Sequence, residues 1–277
     1  MPKPPAIRLT TTAFVAIFLA LIVALFMQSY LRLELQRRGF DVAYAKDLSY
    51  LVVPPLLFLM LFQVLGQQKD FLIGLFRWRH LSLRVVTSAI ALGLLLRVAW
   101  WSQLIARTSF GWARSKDPDG VVGPVFAFNC PPPHIIGLGF FVAAFLIPVV
   151  EEVVHRGLIQ SAFVHRGRTA TILLSALVFA LFHTPSSYIF VFAMGVVFGA
   201  QFWNSQTLLP TMITHATFNG LIQIDWRCLH GTWNPTSDQL PLVTLGSVAL
   251  VTLILAMVSV VRLLIKQDAG VPDTPRP

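Results

Sequence analysis

Apolar segments long enough, or nearly long enough, to cross a bilayer follow one another along almost the whole chain. About 20 apolar residues in a helix span the ~30 Å hydrocarbon core. Because backbone polar groups in lipid must be satisfied within the segment, such segments are helices. We therefore expect an all-α, polytopic membrane helical bundle of about eight transmembrane helices. The segments are Ala13–Leu31, Leu48–Leu65, Leu83–Ile105, Ile135–Val154, Thr169–His183, Ser187–Trp203, Leu208–Trp226 and Leu242–Ile265.

Composition supports a membrane protein and does not favour nucleic acid as a partner. Of the 277 residues, 56% are hydrophobic and only 12% are charged, and the mean hydropathy of +0.71 is far above that of soluble domains. The net charge of +9 comes from Lys and Arg scattered among loops, without a long basic run. Such charges are typical of loops that orient a protein among membrane lipids, and they do not indicate nucleic acid as a partner.

The loop charges also predict an orientation. With eight helices, the side that holds both termini carries 12 Lys and Arg residues and the opposite side carries 8. Positive residues are enriched in cytoplasmic loops. We therefore expect a multi-pass protein of the bacterial inner membrane with cytoplasmic termini. No internal repeat is visible, so the inverted-repeat type of transporter is not favoured.

Polar groups inside three of the apolar runs mark a candidate site. Glu151 and Glu152 end the run that begins near Ile135, His183 ends the next, and His215 and Asn219 lie in a later one. Ionisable groups in hydrocarbon are costly and are functional candidates by default. A proton-coupled transporter would also place Glu and His in the membrane, so that alternative stays open on this criterion alone.

The two glutamates face different directions, because successive residues of a helix are about 100° apart. Glu152 precedes Arg156 by four residues, the favourable order for an ion pair that would fix the rotation of the helix. Glu151 is then the free carboxylate, with His155 four residues later as a possible hydrogen-bond partner. The alternative is a helix that ends here, with residues 151–156 among the lipid headgroups.

The predicted depth of these polar residues in the membrane favours a shared site. If the fourth helix continues to about Phe163 and the chain turns at residues 165–168, Glu151 and His183 lie roughly 22 and 25 Å from that turn. His215 and Asn219 share one helix face and lie roughly 15 and 21 Å from the next turn, at residues 204–206. We therefore expect four polar side chains from three helices to converge within the membrane.

These residues form motifs of a known family. EEVVHRG at residues 151–157 resembles the EExxxRG motif of the CAAX protease and bacteriocin-processing (Abi) family, which includes the type II CAAX prenyl endopeptidases. FALFH at residues 179–183 matches its FxxxH motif, and HATFN at residues 215–219 matches its HxxxN motif. The resemblance covers about Phe140 to Leu221, with motif order and spacing kept. His155 departs from the pattern, since the family more often has an aromatic residue there.

The resemblance implies an intramembrane endopeptidase that hydrolyses a peptide bond of a membrane-associated protein or peptide. It assigns Glu151 as general base, His183 as its partner in holding the water, and His215 and Asn219 as donors to the tetrahedral oxygen. Glu152, Arg156 and His155 would support these groups. We also expect three regions: residues 1–133 with helices one to three and a long loop, a catalytic four-helix core at 134–226 that resembles the family, and a loop, last helix and tail at 227–277.

The resemblance implies no cofactor, but a zinc-dependent protease with the same site is an alternative. Glu151, His183 and His215 would supply a His2Glu ligand set, and Glu151 with His155 would supply two ligands at helical spacing. The chain has no HExxH motif and Asn219 is a poor zinc ligand, which favours the metal-free mechanism. A non-catalytic membrane partner derived from the same fold would be expected to lack one of the four motif residues, and all are present.

The substrate depends on the face to which the site opens. The predicted orientation places the site toward the non-cytoplasmic face, which suits a C-terminal sorting helix or a leader peptide, whereas the opposite orientation suits a cytosolic lipidated C-terminal tail. Cys130 and Cys228 lie in loops on the same face as the site. A disulfide between them is one alternative if that face is oxidising, and two free thiols are the other.

Overall fold

The computed structural model describes residues 6–40, 42–78, 81–109 and 133–223. These residues form helices and no strand, which confirms the predicted all-α fold. A single 3-10 turn, Pro185–Ser187, lies between α7 and α8. The helices are α1 Thr11–Arg37, α2 Val42–Met60, α3 Phe62–Gln67, α4 Lys69–Gly74, α5 Leu83–Ser109, α6 His134–Arg166, α7 Arg168–Leu181, α8 Tyr188–Ser205 and α9 Leu209–Gln223.

Four helices of the described residues are long and apolar enough to cross a membrane, and the protein is an integral membrane protein. These spans are Thr11–Arg37, Leu83–Trp100, His134–Arg166 and Tyr188–Ser205. The expected count of about eight is not confirmed. α7 has only 14 residues, and α2 contains Pro54 and Pro55 and ends at Met60, where the short α3 follows. The predicted last segment, Leu242–Ile265, and both cysteines lie outside the described residues.

The chain divides into two units, and the candidate site belongs to the first. The first unit contains residues 1–93 and 133–223, and the second contains residues 94–132 and 224–277. Of the second unit, the structure describes residues 94–109, which continue α5. The three predicted regions have different boundaries and stay a prediction.

α6 continues past the paired glutamates, as the depth argument requires. It runs from His134 to Arg166 and ends at Gly167, whose φ of +83° only a glycine adopts readily. Two of its stretches, Val142–Leu146 and Val153–Gln160, are π-helical and flank the α-helical piece that holds both glutamates. Such wide turns are frequent at functional sites. Residues 151–156 therefore lie inside a long helix and not at its end.

α7 and α8 form a hairpin whose backbones approach closely at Gly195. A Cβ atom added there would lie 2.9 Å from the Ala176 Cα atom, so only glycine permits this spacing. Small residues allow helices in a membrane to gain packing energy by close approach. At one end of the hairpin, Arg168 donates a hydrogen bond of 3.1 Å to the Asn204 side chain. The hairpin is therefore held at its open end and along its length.

The hydrophobic core lies between α1, α2, α4 and the middle of α6. α1 packs along α2, and the N-terminus adds a hydrogen bond from the Ile7 amide to the Ser161 carbonyl, 3.3 Å. α9 packs against α6, and its Thr214 hydroxyl donates to the Ala89 carbonyl of α5 at 3.1 Å. α2 and α9 therefore both lie against α6. The buried core includes Ile17, Leu21, Val53, Leu57, Leu61, Leu72, Leu75, Val150, Val154, Leu158, Phe202 and Leu208.

Replacing Gly195 by alanine should destabilise the hairpin, because the new methyl group meets the backbone of α7. Overpacking of this kind costs about 1–3 kcal/mol. Gly137 in α6 is the matched control, since a Cβ atom there meets nothing within 4 Å. Thermal unfolding of both variants in detergent micelles checks this. Equal melting temperatures for Gly195→Ala and Gly137→Ala would show that the close approach is not required.

Candidate active site

The predicted ion pair between Glu152 and Arg156 is present and fully buried. The Arg156 Nε atom lies 3.2 Å from the Glu152 Oε2 atom, and both side chains have 0% of their surface exposed. Removing two charges from water costs several kcal/mol each, so the pair persists only if further contacts offset that cost. The surroundings of both groups supply them.

The Arg156 guanidinium lies between two aromatic rings. Its Cζ atom is 4.4 Å from the ring centroid of Phe179 and 5.2 Å from that of Phe198, and such cation–π contacts are strongest where water is absent. One terminal nitrogen also donates to the Gly195 carbonyl at 3.4 Å. One turn later, the buried Gln160 donates to the Gly199 carbonyl at 2.8 Å. The helix of the glutamates is thereby bonded to α8 at two successive turns.

His215 links the two glutamates. Its Nδ1 atom lies 2.9 Å from the Glu152 Oε1 atom, and its Nε2 atom lies 3.8 Å from the Glu151 Oε2 atom. The ring is buried and stacks on Phe198, with centroids 5.0 Å apart and planes at 28°. Because a carboxylate only accepts, the Nδ1 atom carries the proton of its hydrogen bond. The structure thus places both ring nitrogens of His215 against carboxylates.

Glu151 lies at the edge of a cavity of about 90 Å³. Its side chain is 26% exposed, yet the Oε2 atom is buried and, among the described residues, has no hydrogen-bond partner. An unpaired buried carboxylate oxygen is costly unless a water molecule or a ligand satisfies it. Glu151 is therefore the free carboxylate that the sequence predicts. The cavity is lined by Leu21, Ala24, Leu25, Gln28, Tyr50, Val53, Pro54, Leu57, Ile147, Val150, Glu151, His155, Phe182 and His183.

His183 borders the same cavity from the turn after α7. α7 ends at Leu181, so His183 is not inside the helix as the predicted segment Thr169–His183 had it. Its Nδ1 atom lies 2.8 Å from the Phe179 carbonyl oxygen. A carbonyl oxygen accepts only, so Nδ1 carries the proton, and in the neutral ring the Nε2 atom is left with a lone pair. The backbone of α7 thereby fixes the tautomer of His183.

His155 lines the cavity but is not hydrogen-bonded to Glu151. Its ring is buried and stands edge-on to Phe179, with centroids 5.1 Å apart and planes at 87°. The Nδ1 atom has no hydrogen-bond partner within the described part of the chain. The predicted contact with Glu151 is not formed, because the Glu151 carboxylate lies against His215.

Asn219 is not brought to the cavity. It lies one turn after His215 on α9 and is half-buried, and its side chain makes no hydrogen bond with any residue that the structure describes. The structure thus brings together Glu151, Glu152, Arg156, His155, His183 and His215. Asn219 shares a helix face with His215 only. Its role as a donor to the tetrahedral oxygen stays a prediction.

Two cavity residues, Gln28 and Tyr50, were missed by the sequence argument. They come from α1 and α2, which carry no family motif, and both side chains line the cavity. Gln28 interrupts the apolar run of α1, and this polar residue in an apolar helix was a signal that could have drawn attention to it.

The described residues contain no group of three His, Cys, Asp or Glu side chains placed to hold a metal ion. The zinc alternative requires Glu151, His183 and His215 as one ligand set. Here His215 directs its Nδ1 atom to Glu152, and its Nε2 atom is 3.8 Å from the Glu151 Oε2 atom. A carboxylate partner at the other ring nitrogen is common for zinc-bound histidines, so the metal-free mechanism and the zinc alternative both stay predictions that chelation separates.

Comparison of the chain with models of known protein families tests the resemblance that the motifs suggest. Residues 133–221 match the model for Rce1-like type II CAAX prenyl endopeptidases. This segment is similar to the CAAX proteases. For this segment, the match confirms the resemblance that the three motifs carry, and all three motifs lie inside the matched residues. Comparison with curated proteins gives no match. The CAAX protease-like segment implies a peptidase that acts on a membrane-associated protein.

Replacing Glu152 by glutamine should destabilise the protein strongly, because it leaves the fully buried Arg156 without its partner. Breaking a buried pair in this way costs about 3–5 kcal/mol. The control is Glu34→Gln, which removes a carboxylate paired with the exposed Arg38 side chain, where the loss is at most about 1 kcal/mol. Thermal unfolding in micelles measures both. The double variant Glu152→Gln/Arg156→Met should recover part of the loss, and an unchanged melting point for Glu152→Gln alone would contradict the account.

Proposed function

We propose that the chain is an intramembrane endopeptidase in which Glu151 activates a water molecule to hydrolyse a peptide bond. One observation carries this proposal. The Glu151 side chain is 26% exposed, and it lines a cavity that His183 also lines. An oxygen and an imidazole nitrogen that both accept hydrogen bonds, and that share a cavity, are suited to holding one water molecule between them.

The chemistry follows from these two acceptors. Water would donate one hydrogen bond to Glu151 and one to the Nε2 atom of His183, which leaves an oxygen lone pair free for the carbonyl carbon. Glu151 takes the first proton as the C–O bond forms. It then returns that proton to the amide nitrogen as the C–N bond breaks, so the carboxylate is regenerated. No covalent intermediate with the enzyme is required.

His215 would act on the oxyanion that forms during this sequence. Its ring lies against both glutamates, with the Nδ1 atom 2.9 Å from the Glu152 Oε1 atom and the Nε2 atom 3.8 Å from the Glu151 Oε2 atom. Glu152 thereby holds the ring beside the site, where it is proposed to favour the negative oxygen of the tetrahedral intermediate. Asn219 is proposed as a further donor, one that must turn toward the substrate when it binds.

The substrate is proposed to be a membrane-associated protein or peptide with a C-terminal lipidated tail or sorting helix. The apolar lining of the cavity, from Leu21 to Leu57 on α1 and α2, supports a substrate segment that enters from lipid. The bundle is proposed to have about eight helices in the bacterial inner membrane, and the loop charges support cytoplasmic termini. Under that orientation the site opens toward the non-cytoplasmic face.

Replacing Glu151 by glutamine should abolish cleavage while leaving the bundle folded, because the amide keeps the shape of the side chain but is not a base. We expect a loss of at least about 10³-fold, within the range of general base catalysis. Purified protein in nanodiscs would be offered two fluorogenic peptides, one with a lipidated C-terminal tail and one with an unlipidated transmembrane segment. Glu34→Gln is the control and should cleave at the wild-type rate. Full activity of Glu151→Gln would contradict the mechanism.

Chelation distinguishes the metal-free mechanism from the zinc-dependent alternative. A site built on Glu151 and His183 alone has no metal to lose, so EDTA should leave the rate unchanged after dialysis. Measuring peptide cleavage before chelation, after it and after addition of zinc decides between the two. Inactivation that zinc reverses would favour a metallopeptidase.

A further inference from the structure

The wall of the cavity that α2 forms is a single helix face with a proline in it. Tyr50, Val53, Pro54 and Leu57 line the cavity, and their spacing of i, i+3, i+4 and i+7 is that of one side of a helix. Pro54 is buried, whereas its neighbour Pro55 is exposed and does not line the cavity. Both prolines precede the segment that matches the family model, so the match assigns them no role.

Pro54 leaves one backbone carbonyl of α2 without its helical partner. A carbonyl in an α-helix accepts a hydrogen bond from the N–H group four residues later, and a proline inside the helix has no N–H to give. The Tyr50 carbonyl therefore has no donor at position 54. It points along the helix toward that position, and residues 50 and 54 share one face. Since both residues line the cavity, the free carbonyl lies on the cavity side of α2.

A free carbonyl at this place matches what a substrate from the membrane would need. A segment in lipid satisfies its amide groups within its own helix. To bring one peptide bond beside Glu151, that helix must unwind locally, which leaves N–H groups without acceptors in an apolar setting. Such groups are costly unless they find a new partner. The Tyr50 carbonyl supplies an acceptor at the same cavity as Glu151 and His183.

We propose that the Tyr50 carbonyl, freed by Pro54, accepts a hydrogen bond from an amide N–H of the substrate beside the scissile bond. This inference rests on the proposed endopeptidase function and adds α2 as a wall that binds the substrate backbone. Pro54 is the positioning residue, because it keeps the carbonyl out of the helix ladder. The contact joins main-chain groups only, so it holds an unwound segment whatever its side chains are. It acts on binding, and no bond forms or breaks at Tyr50.

An ester in place of one substrate amide tests the donor, because it removes the N–H group and keeps the shape of the chain. We would measure kcat and KM for the full-length protein in nanodiscs with the peptide that the wild type cleaves. A series of peptides then replaces each amide around the scissile bond in turn. At one position the ester should raise KM about 3- to 10-fold, as expected for one hydrogen bond, while kcat changes less than about twofold.

Pro54→Ala tests the acceptor, because it restores an N–H group at position 54 and returns the Tyr50 carbonyl to the helix. KM for the parent peptide should rise by a similar factor. The ester should then cause no further rise, since two changes that remove one contact are not additive. Pro54→Val restores the same N–H group with a larger side chain, so an effect shared by both variants comes from the N–H group and not from the change in volume.

Pro55→Ala is the matched control. It removes the neighbouring proline on the exposed side of the same helix, where the freed carbonyl belongs to Leu51, which does not line the cavity. This variant should keep the wild-type KM for the parent peptide and the wild-type response to the ester. Alanine is favoured in helices, so both alanine variants should fold, and melting temperatures establish that they do.

The outcomes separate this inference from the function on which it rests. If Glu151→Gln is inactive and no ester raises KM, the endopeptidase proposal stands and the role of the Tyr50 carbonyl is overturned. An ester that raises KM by the same factor in Pro54→Ala as in the wild type also overturns it, since the acceptor then lies elsewhere. Equal rises in KM for Pro54→Ala and Pro55→Ala overturn it as well, because they assign the effect to the bend of α2. A wild type that cleaves neither fluorogenic peptide, or a Glu151→Gln variant with full activity, overturns both proposals.

Discussion

The buried ion pair between Glu152 and Arg156 is the constraint on which the rest of the site depends. With both side chains fully removed from solvent, the pair is stable only while the rings of Phe179 and Phe198 and the Gly195 carbonyl surround the guanidinium. These partners come from α7 and α8, so the pair fixes the rotation of α6 against the hairpin. That rotation directs Glu151 toward the cavity, and the hydrogen bond from His215 to Glu152 brings α9 to the same place.

Much of this arrangement follows from helical spacing and could be predicted. The i, i+4 relation of Glu152 and Arg156 predicts their pairing, and the 100° step between neighbours then leaves Glu151 as the free carboxylate. Counting residues from the turn near Gly167 places Glu151 and His183 at one depth, and the structure puts both at one cavity. These inferences succeed because they use only distances along a helix.

The remaining features depend on contacts between helices, which the spacing does not encode. Gln28 and Tyr50 reach the cavity because α1 and α2 pack against the middle of α6. Neither segment has a sequence pattern that predicts this contact. The π-helical turn Val153–Gln160 has no sequence signature in the argument. His183 falls beyond the end of α7 because that helix closes at Leu181, so its tautomer is set by a turn that periodicity cannot show.

The central claim is that the cavity beside Glu151 receives the scissile peptide bond. An experimental structure of Glu151→Gln bound to an uncleaved substrate peptide tests it most directly. The account predicts that the scissile peptide bond lies in the cavity, with its carbonyl carbon facing residue 151 and His183. A peptide bound elsewhere on the protein, with this cavity empty, would contradict the claim.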